Sequence, residues 1–296
     1  MIKIKPGDHA AIIAPCAQIG DIAKIKPAIE YLESLGLVPV YGKNLCRVNR
    51  YLAGTDAERA ADINAAFTDP AIKVIFCARA AAGGLRTLPY LDYDAIKRNP
   101  KPLIGFCDNA AVQLALWQKS GLVSYNGFGL AYDFRTGTLD SQIAADLRRL
   151  LNGETYAIKS GQALRRGIAS GKLIAVNLST LMRMAGTPYF PDLSGKILLI
   201  EDVHEKIYRL DLMLQQLKLQ PNFDKISGVV FGQFTDALSD EEDGSVADCI
   251  ADFTADTTFP IITDFNFGHT PSRRILPIGA DVELDAGAAE LKILRY

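Results

Sequence analysis

The chain is short of histidine, of paired cysteines, of long apolar runs and of excess positive charge. Each shortage removes a class of function. Three histidines (His9, His204 and His269) leave little from which to build an imidazole metal site. The five cysteines (Cys16, Cys46, Cys77, Cys107 and Cys249) are odd in number and show no C-x-x-C spacing. That pattern favours reduced thiols in a cytoplasmic compartment over a disulfide framework or a zinc cluster. No stretch nears the roughly 20 apolar residues of a membrane span, and the opening MIKIKPGDHAAIIAPC is expected to form a first strand, its apolar part being short for a signal peptide. With 32 Lys and Arg against 34 Asp and Glu, the net charge is −2. A nucleic-acid binder needs a basic surface, so nucleic acid is not the expected partner.

What is present is an ordinary globular composition, 49% hydrophobic and 22% charged over 296 residues. That is enough chain for one large or two medium domains. The first half alternates short apolar strands (HAAIIAP, LVPVY, IKVIFCAR, PLIGF) with helical segments. DIAKIKPAIEYLESLG reads as a helix ended by Gly36, TDAERAADINAAFTD as one capped by Thr55 or Asp56, and YLDYDAIKRNP as helix and turn. Such alternation predicts an α/β domain with a parallel sheet, in flavodoxin- or glutaminase-like layers, over residues 1–155. Residues 156–171 are polar and weakly periodic and read as a linker. Residues 172–296 read as a second, α+β domain. In it NLSTLMRMAG and KIYRLDLMLQQLKLQ are helices, the latter with Leu210, Met213, Leu214 and Leu217 on one stripe. GKILLIED, ISGVVFGQF and TFPIITDF are strands, and GADVELDAGAAELKIL is a closing hairpin. The acidic run 239–245 reads as a solvated loop leading into a helix, since its oxygens lack EF-hand spacing.

One stretch carries chemistry. In KPLIGFCDNAAVQLALWQ, an apolar strand ends at Cys107 and a helical pattern (Ala111, Leu114, Ala115, Trp117) begins at once. A sharp strand-to-helix turn lifts a side chain clear of a sheet and aims backbone N–H groups at whatever it attacks. Asp108 and Asn109 suit the free amides of a helix start. The alternative is that Cys107 simply packs, as unbonded cysteine often does. A nucleophile needs a base, and a base needs an orienting group. His269, in the Gly-bearing loop DFNFGHTPSRR, is the better base. His9, in the turn before the first strand, and His204, beside charged residues, read as surface. Glu201, where KILLIED leaves its apolar run, is a candidate orienting group, with a cap or salt bridge as the alternative.

Taken together, GFCDNAAVQLALWQKSGLVSYNG, NLSTLMRMAGTPYFPDLSGKILLIEDVHEKIYRLDLMLQQL and FNFGHTP resemble the LD-carboxypeptidases. These are the murein tetrapeptide carboxypeptidases, grouped with the microcin C immunity peptidases. KPGDHAAIIAPC and FCARAAAGGLRTLPYLDY fit as well, so the resemblance covers nearly the whole chain. It implies a metal-independent Ser-Glu-His triad and no cofactor. The nucleophile stands in a G-[YF]-S-D turn, here Gly105-Phe106-Cys107-Asp108. The glutamate opens an E-D pair, here Glu201-Asp202, and the histidine closes a G-H, here Gly268-His269. It further implies an active site at the junction of an α/β N-terminal domain and a C-terminal domain.

The chain departs from the family pattern twice. Cys107 replaces serine, and a thiol beside an imidazole is a competent nucleophile. The loop Arg79–Gly84 reads R-A-A-A-G-G where the family usually has R-G-G-Y-G. The oxyanion donors implied are then the N–H of Ala80 or Ala81 and of Asp108, provided the alanines tolerate the backbone the glycines adopt. Arg86, after this loop, is a candidate for binding a terminal carboxylate; the alternative is a scaffold pairing with a nearby carboxylate such as Asp92. The leading expectation is a cytoplasmic carboxypeptidase of cell-wall recycling that takes a small muropeptide and releases terminal D-alanine by cutting an L,D bond; the resemblance leaves room for a homodimer. The alternatives are a cysteine amidase acting on another small peptide or peptide–nucleotide conjugate, and a silent peptide binder. GFCDN is also faintly similar to the G-x-C-x-G elbow of class I glutamine amidotransferases, but Asn109 replaces the second glycine and no H-x-E follows at His269-Thr270-Pro271.

Overall fold

Near-continuous apolar runs such as Ala10–Ile13 and Val74–Phe76 can be stable as strands only if both faces are covered. The structure of the chain, a computed structural model, describes residues 3–239 and 244–296. It divides into two compact units. The first runs to Glu154 and takes back Arg274–Gly279; the second holds Thr155–Arg273 and Ala280–Tyr296.

The sheet of the first unit contains β1 (His9–Ile13), β2 (Val38–Tyr41), β3 (Ile72–Cys77), β4 (Leu103–Gly105) and β5 (Ser124–Asn126), with β12 (Leu276–Ile278) at one edge. The order is β12-β5-β4-β3-β1-β2. All pairings are parallel except the antiparallel β12–β5. Strand order therefore reverses between β1 and β3, and the crevice outside their carboxyl ends is where such sheets place sites. The helix Asp56–Thr68 starts at Thr55, whose hydroxyl accepts from Glu58 N while Glu58 reaches back, a complete capping box. The expected helix at 21–36 is split. A 3-10 turn (Ile22–Ile25) precedes a helix at Lys26–Ser34, because Pro27 has no N–H to continue the first segment.

The second unit builds an eight-stranded sheet in the order β6-β14-β13-β8-β9-β10-β11-β7. Its strands are β6 (Ala157–Lys159), β7 (Gln162–Arg165), β8 (Ile168–Asn177), β9 (Lys196–Val203), β10 (Gly228–Thr235), β11 (Ile261–Thr263), β13 (Asp281–Asp285) and β14 (Glu290–Arg295). The central β8–β11 run parallel, and the closing hairpin β13–β14 is antiparallel. The stretch 156–171 is thus not a linker: it supplies β6, β7 and the start of β8. It reads as polar because β6 and β7 are the two edge strands, each largely solvent-facing. Likewise residues 274–279, expected in the second domain, belong to the first unit, where 276–278 pair as β12 with β5. The helix Ile207–Lys218 buries Ile207, Leu210, Leu214 and Leu217, whereas Met213 is only half-buried. Of the acidic run, residues 240–243 lie outside the described residues.

The returning segment is held by one buried carboxylate. Asp146, fully buried, accepts from Arg274 Nε at 2.6 Å and Nη2 at 2.8 Å, and from Ile275 N at 3.2 Å. Removing one partner of such a pair leaves a nearly buried charge uncompensated. Asp146→Ala is expected to lose roughly 3–5 kcal/mol of unfolding free energy in denaturant titrations. A loss under about 1 kcal/mol, the level of an exposed pair, would contradict this role.

Candidate active site

Each candidate residue is placed by local geometry. In the first unit, β4 ends at Gly105 and the helix Asn109–Ser120 begins four residues later. Between them Cys107 adopts φ +56°, the left-handed region, which costs a residue with a Cβ about 1–2 kcal/mol. Neighbouring hydrogen bonds hold it there. Cys107 O accepts from Ala110 N at 2.8 Å, and Gly105 O accepts from Gly127 N at 2.9 Å. Asn109 Nδ2 donates to Phe106 O at 3.0 Å, while the Cys16 thiol donates to Asn109 Oδ1 at 3.1 Å. Gly105 is required by close approach, since a Cβ there would lie 2.9 Å from that of Asn109 and 3.2 Å from Cys77 Sγ. Cys107 is partly exposed, whereas Cys16 and Cys77 are buried and burial pushes both thiols up. Those two are packing residues.

Asp108 holds the N-cap position but does not cap its own helix with its side chain. Instead its Oδ2 accepts from Gly84 N at 2.7 Å, tying the elbow to the alanine loop. In that loop Ala81 stands at φ +74°, so it keeps a glycine-like backbone despite its Cβ. The N–H groups of Ala80 and Ala81 have no acceptor within the chain among the described residues. Arg86 is engaged elsewhere: Nε and Nη2 each donate to Asp56 at 2.9 Å. This is the scaffold pairing with a carboxylate, made with Asp56 and not with Asp92, whose side chain caps the helix Tyr93–Arg98 through Ala95 N. Arg86 thus already spends on Asp56 the bidentate geometry that a substrate carboxylate would require.

In the second unit, Glu201 on β9 is 1% exposed, and its Oε2 lies 2.8 Å from His269 Nδ1. With a carboxylate on Nδ1, that nitrogen carries the proton and Nε2 is the basic one. Two glycines admit this pair. A Cβ on Gly232 would sit 3.1 Å from Glu201 Cβ and 2.5 Å from Phe267 O. Gly268, at φ +135°, would bring one within 3.2 Å of Glu201 Oε2. The structure therefore brings Glu201 and His269 together in the second unit, while Cys107, Asp108, Ala80, Ala81 and Arg86 belong to the first. His204 is exposed near Asp236, and His9 is the first residue of β1, half-buried, instead of lying in the preceding turn.

The sequence marks Asp202 only as the second member of the E-D pair and Asn177 only as the first residue of a helical segment. Asp202 is 2% exposed and accepts from Ser179 N at 2.7 Å, Val203 N at 2.8 Å and Asn177 Nδ2 at 3.0 Å. Asn177 Oδ1 in turn caps the helix Leu178–Arg183 through Thr180 N. The signal was present as an Asn before an apolar helical run. Burial raises the Asp202 carboxyl to about 6, outweighing these donors. A carboxyl raised in the folded state contributes stability that is present below its unfolded value, near 3.9, and lost as pH rises through the folded one. Compared with Asp202→Asn, which does not titrate, the wild type is expected to lose unfolding free energy between about pH 4 and 6, at roughly 1.4 kcal/mol per pH unit. A difference between the two proteins that stays flat over that range would refute this assignment.

Residues 10–127 match the LD-carboxypeptidase N-terminal domain, and residues 170–284 match the LD-carboxypeptidase C-terminal domain. The murein tetrapeptide carboxypeptidase of Pseudomonas aeruginosa is 30% identical over 94% of this chain and 93% of its own. The microcin C7 self-immunity protein MccF of Escherichia coli is 28% identical, covering 94% of each chain. The solved muramoyltetrapeptide carboxypeptidase of Oxalobacter formigenes superposes with a TM-score of 0.89 at 30% identity, over 97% of this chain and 99% of that one. By both domain matches and by these relatives, the chain belongs to the LD-carboxypeptidase family.

Proposed function

We propose that Cys107, Glu201 and His269 act as a catalytic triad that hydrolyses the L,D peptide bond of a murein tetrapeptide and releases terminal D-alanine, in cytoplasmic cell-wall recycling. The observation that carries this is the 2.8 Å hydrogen bond between buried Glu201 and His269 Nδ1, which supports the reading by leaving Nε2 to serve as the base. His269 Nε2 takes the proton of Cys107 Sγ, and the sulfur attacks the carbonyl carbon. The oxygen gains the electron pair and is stabilised by N–H groups of the Ala80–Ala81 loop and of Asp108. The C–N bond then breaks as Nε2–H protonates the departing amine. A thioester remains, which water attacks with His269 again as base.

The relatives support a peptidase acting on murein peptides: the Pseudomonas and Oxalobacter proteins are named for that substrate. The likeness to MccF favours a second reading, hydrolysis of a peptide–nucleotide conjugate by the same three residues. The two are separated by offering both substrate types and reading products by mass. D-alanine release from the tetrapeptide is expected, with no effect of EDTA. Iodoacetamide is expected to abolish it while labelling Cys107 ahead of Cys46, the exposed competitor. Cys107→Ser should keep partial activity and Cys107→Ala should fall by roughly 10³-fold or more. Full activity in Cys107→Ala, or strong EDTA inhibition, would overturn the triad. Turnover of the conjugate alone would establish the second reading.

A further inference from the structure

The loop that carries Ala80 and Ala81 has a left-handed alanine and no ladder of its own, so contacts from outside must fix it. Ala80 O accepts from Ala17 N at 3.1 Å, Gly84 N donates to Asp108 at 2.7 Å, and Gly83 O accepts from Arg59 Nη1 at 2.8 Å. Arg59 is the unusual member. It sits on the helix Asp56–Thr68, is 1% exposed, and uses the same Nη1 to donate to the carbonyl of Pro15. Its Nη2 reaches Asp56 Oδ1 at 2.5 Å, and Asp56 is itself shared with Arg86. Its Nε has no partner among the described residues.

Arginine is seldom buried this deeply, because desolvating its charge is expensive. A methionine or leucine would fill the space without that cost. What the guanidinium adds is a rigid fork that joins two loops, the one leaving β1 at Pro15 and the one leaving β3 at Gly83. Those loops flank the point where the strand order reverses.

We propose that Arg59 is a positioning residue for the oxyanion loop. Through the carbonyls of Gly83 and Pro15 it sets the direction in which the N–H groups of Ala80 and Ala81 point. The proposal rests on Cys107 being the nucleophile. Arg59 itself touches no reacting atom. When sulfur bonds to the carbonyl carbon, the displaced electron pair settles on oxygen, and only donors already aimed at that oxygen stabilise it.

The test compares Arg59→Lys and Arg59→Met with wild type in three assays: tetrapeptide turnover, inhibition by a peptide aldehyde, and the alkylation rate of Cys107 by iodoacetamide. The aldehyde forms a hemithioacetal whose oxygen occupies the oxyanion position. Iodoacetamide is attacked at a saturated carbon with loss of iodide, so it requires the thiolate but no oxyanion donors. Arg59→Lys is expected to lower kcat roughly 10- to 100-fold with KM within about twofold, and to weaken the aldehyde in proportion. Its alkylation rate should match wild type, and Arg59→Met should show the same split more strongly. Unchanged turnover in both variants, a parallel fall of turnover and alkylation, or loss of the folded state in both would overturn the proposal. A wild type that is alkylated at Cys107 yet releases nothing from the peptide would instead sink the proposed function. The aldehyde and alkylation assays would then still judge Arg59.

Discussion

A carboxylate shut away from water is stable only where something nearby repays its lost solvation, and Glu201 is 1% exposed. Its repayment is the imidazole of His269, 2.8 Å away, and the surroundings are shaped to permit that one contact. Consecutive residues on a strand face opposite sides, so Glu201 turns to His269 while Asp202 turns to the Asn177–Ser179 cap. Gly232 and Gly268 keep side chains out of the way. Phe265 and Phe267, both fully buried, anchor the loop that ends in His269. Gln233 N donates to Phe267 O at 2.8 Å, which fixes that loop against β10. The imidazole can then neither rotate nor shift its Nδ1 proton to Nε2 without leaving the carboxylate unpaired.

The first unit solves a different problem, that of holding unfavourable backbone. Cys107 and Ala81 both lie at positive φ, and each is a residue whose Cβ opposes that conformation. The hydrogen bond from Gly84 N to Asp108 couples the two strained positions, so elbow and loop hold their register together. Arg59 and the Cys16–Asn109 contact support them from behind. Sulfur in place of the family's oxygen fits this arrangement, because a thiol needs less help to lose its proton than an alcohol does.

Much of this was legible in the residues, and unevenly so. Alternating strands and helices in the first half announced the parallel sheet because its strands are near-continuous apolar runs, the mark of a sheet covered on both faces. The abrupt strand-to-helix change at Cys107 marked the elbow. The edge strands β6 and β7 were misread as a linker, since a three- or four-residue strand exposed to water has the composition of a loop. β12 was assigned to the wrong unit because Leu276-Pro277-Ile278 bears no mark of the sheet it joins; only the long-range pairing with β5 reveals it. Arg86 pairs with a carboxylate, as the scaffold alternative has it, but with Asp56, thirty residues away, and not with Asp92, its nearer neighbour in sequence. Arg59 shows nothing of its role in the sequence, because the loops it joins at Pro15 and Gly83 are remote from it, and the E-D pair names Asp202 without revealing its contacts with Asn177 and Ser179.

The proposed hydrolysis runs through a covalent bond to one sulfur, that of Cys107. Rapid acid quenching of the enzyme during turnover of the murein tetrapeptide, followed by digestion and mass spectrometry, tests it directly. The peptide containing Cys107 is expected to gain the mass of the acyl fragment left after D-alanine departs, and hydroxylamine should remove it, as it does a thioester. Release of D-alanine with an acyl group on any other residue, or with Cys107 unmodified at every quench time while His269→Ala still turns over, would contradict the account.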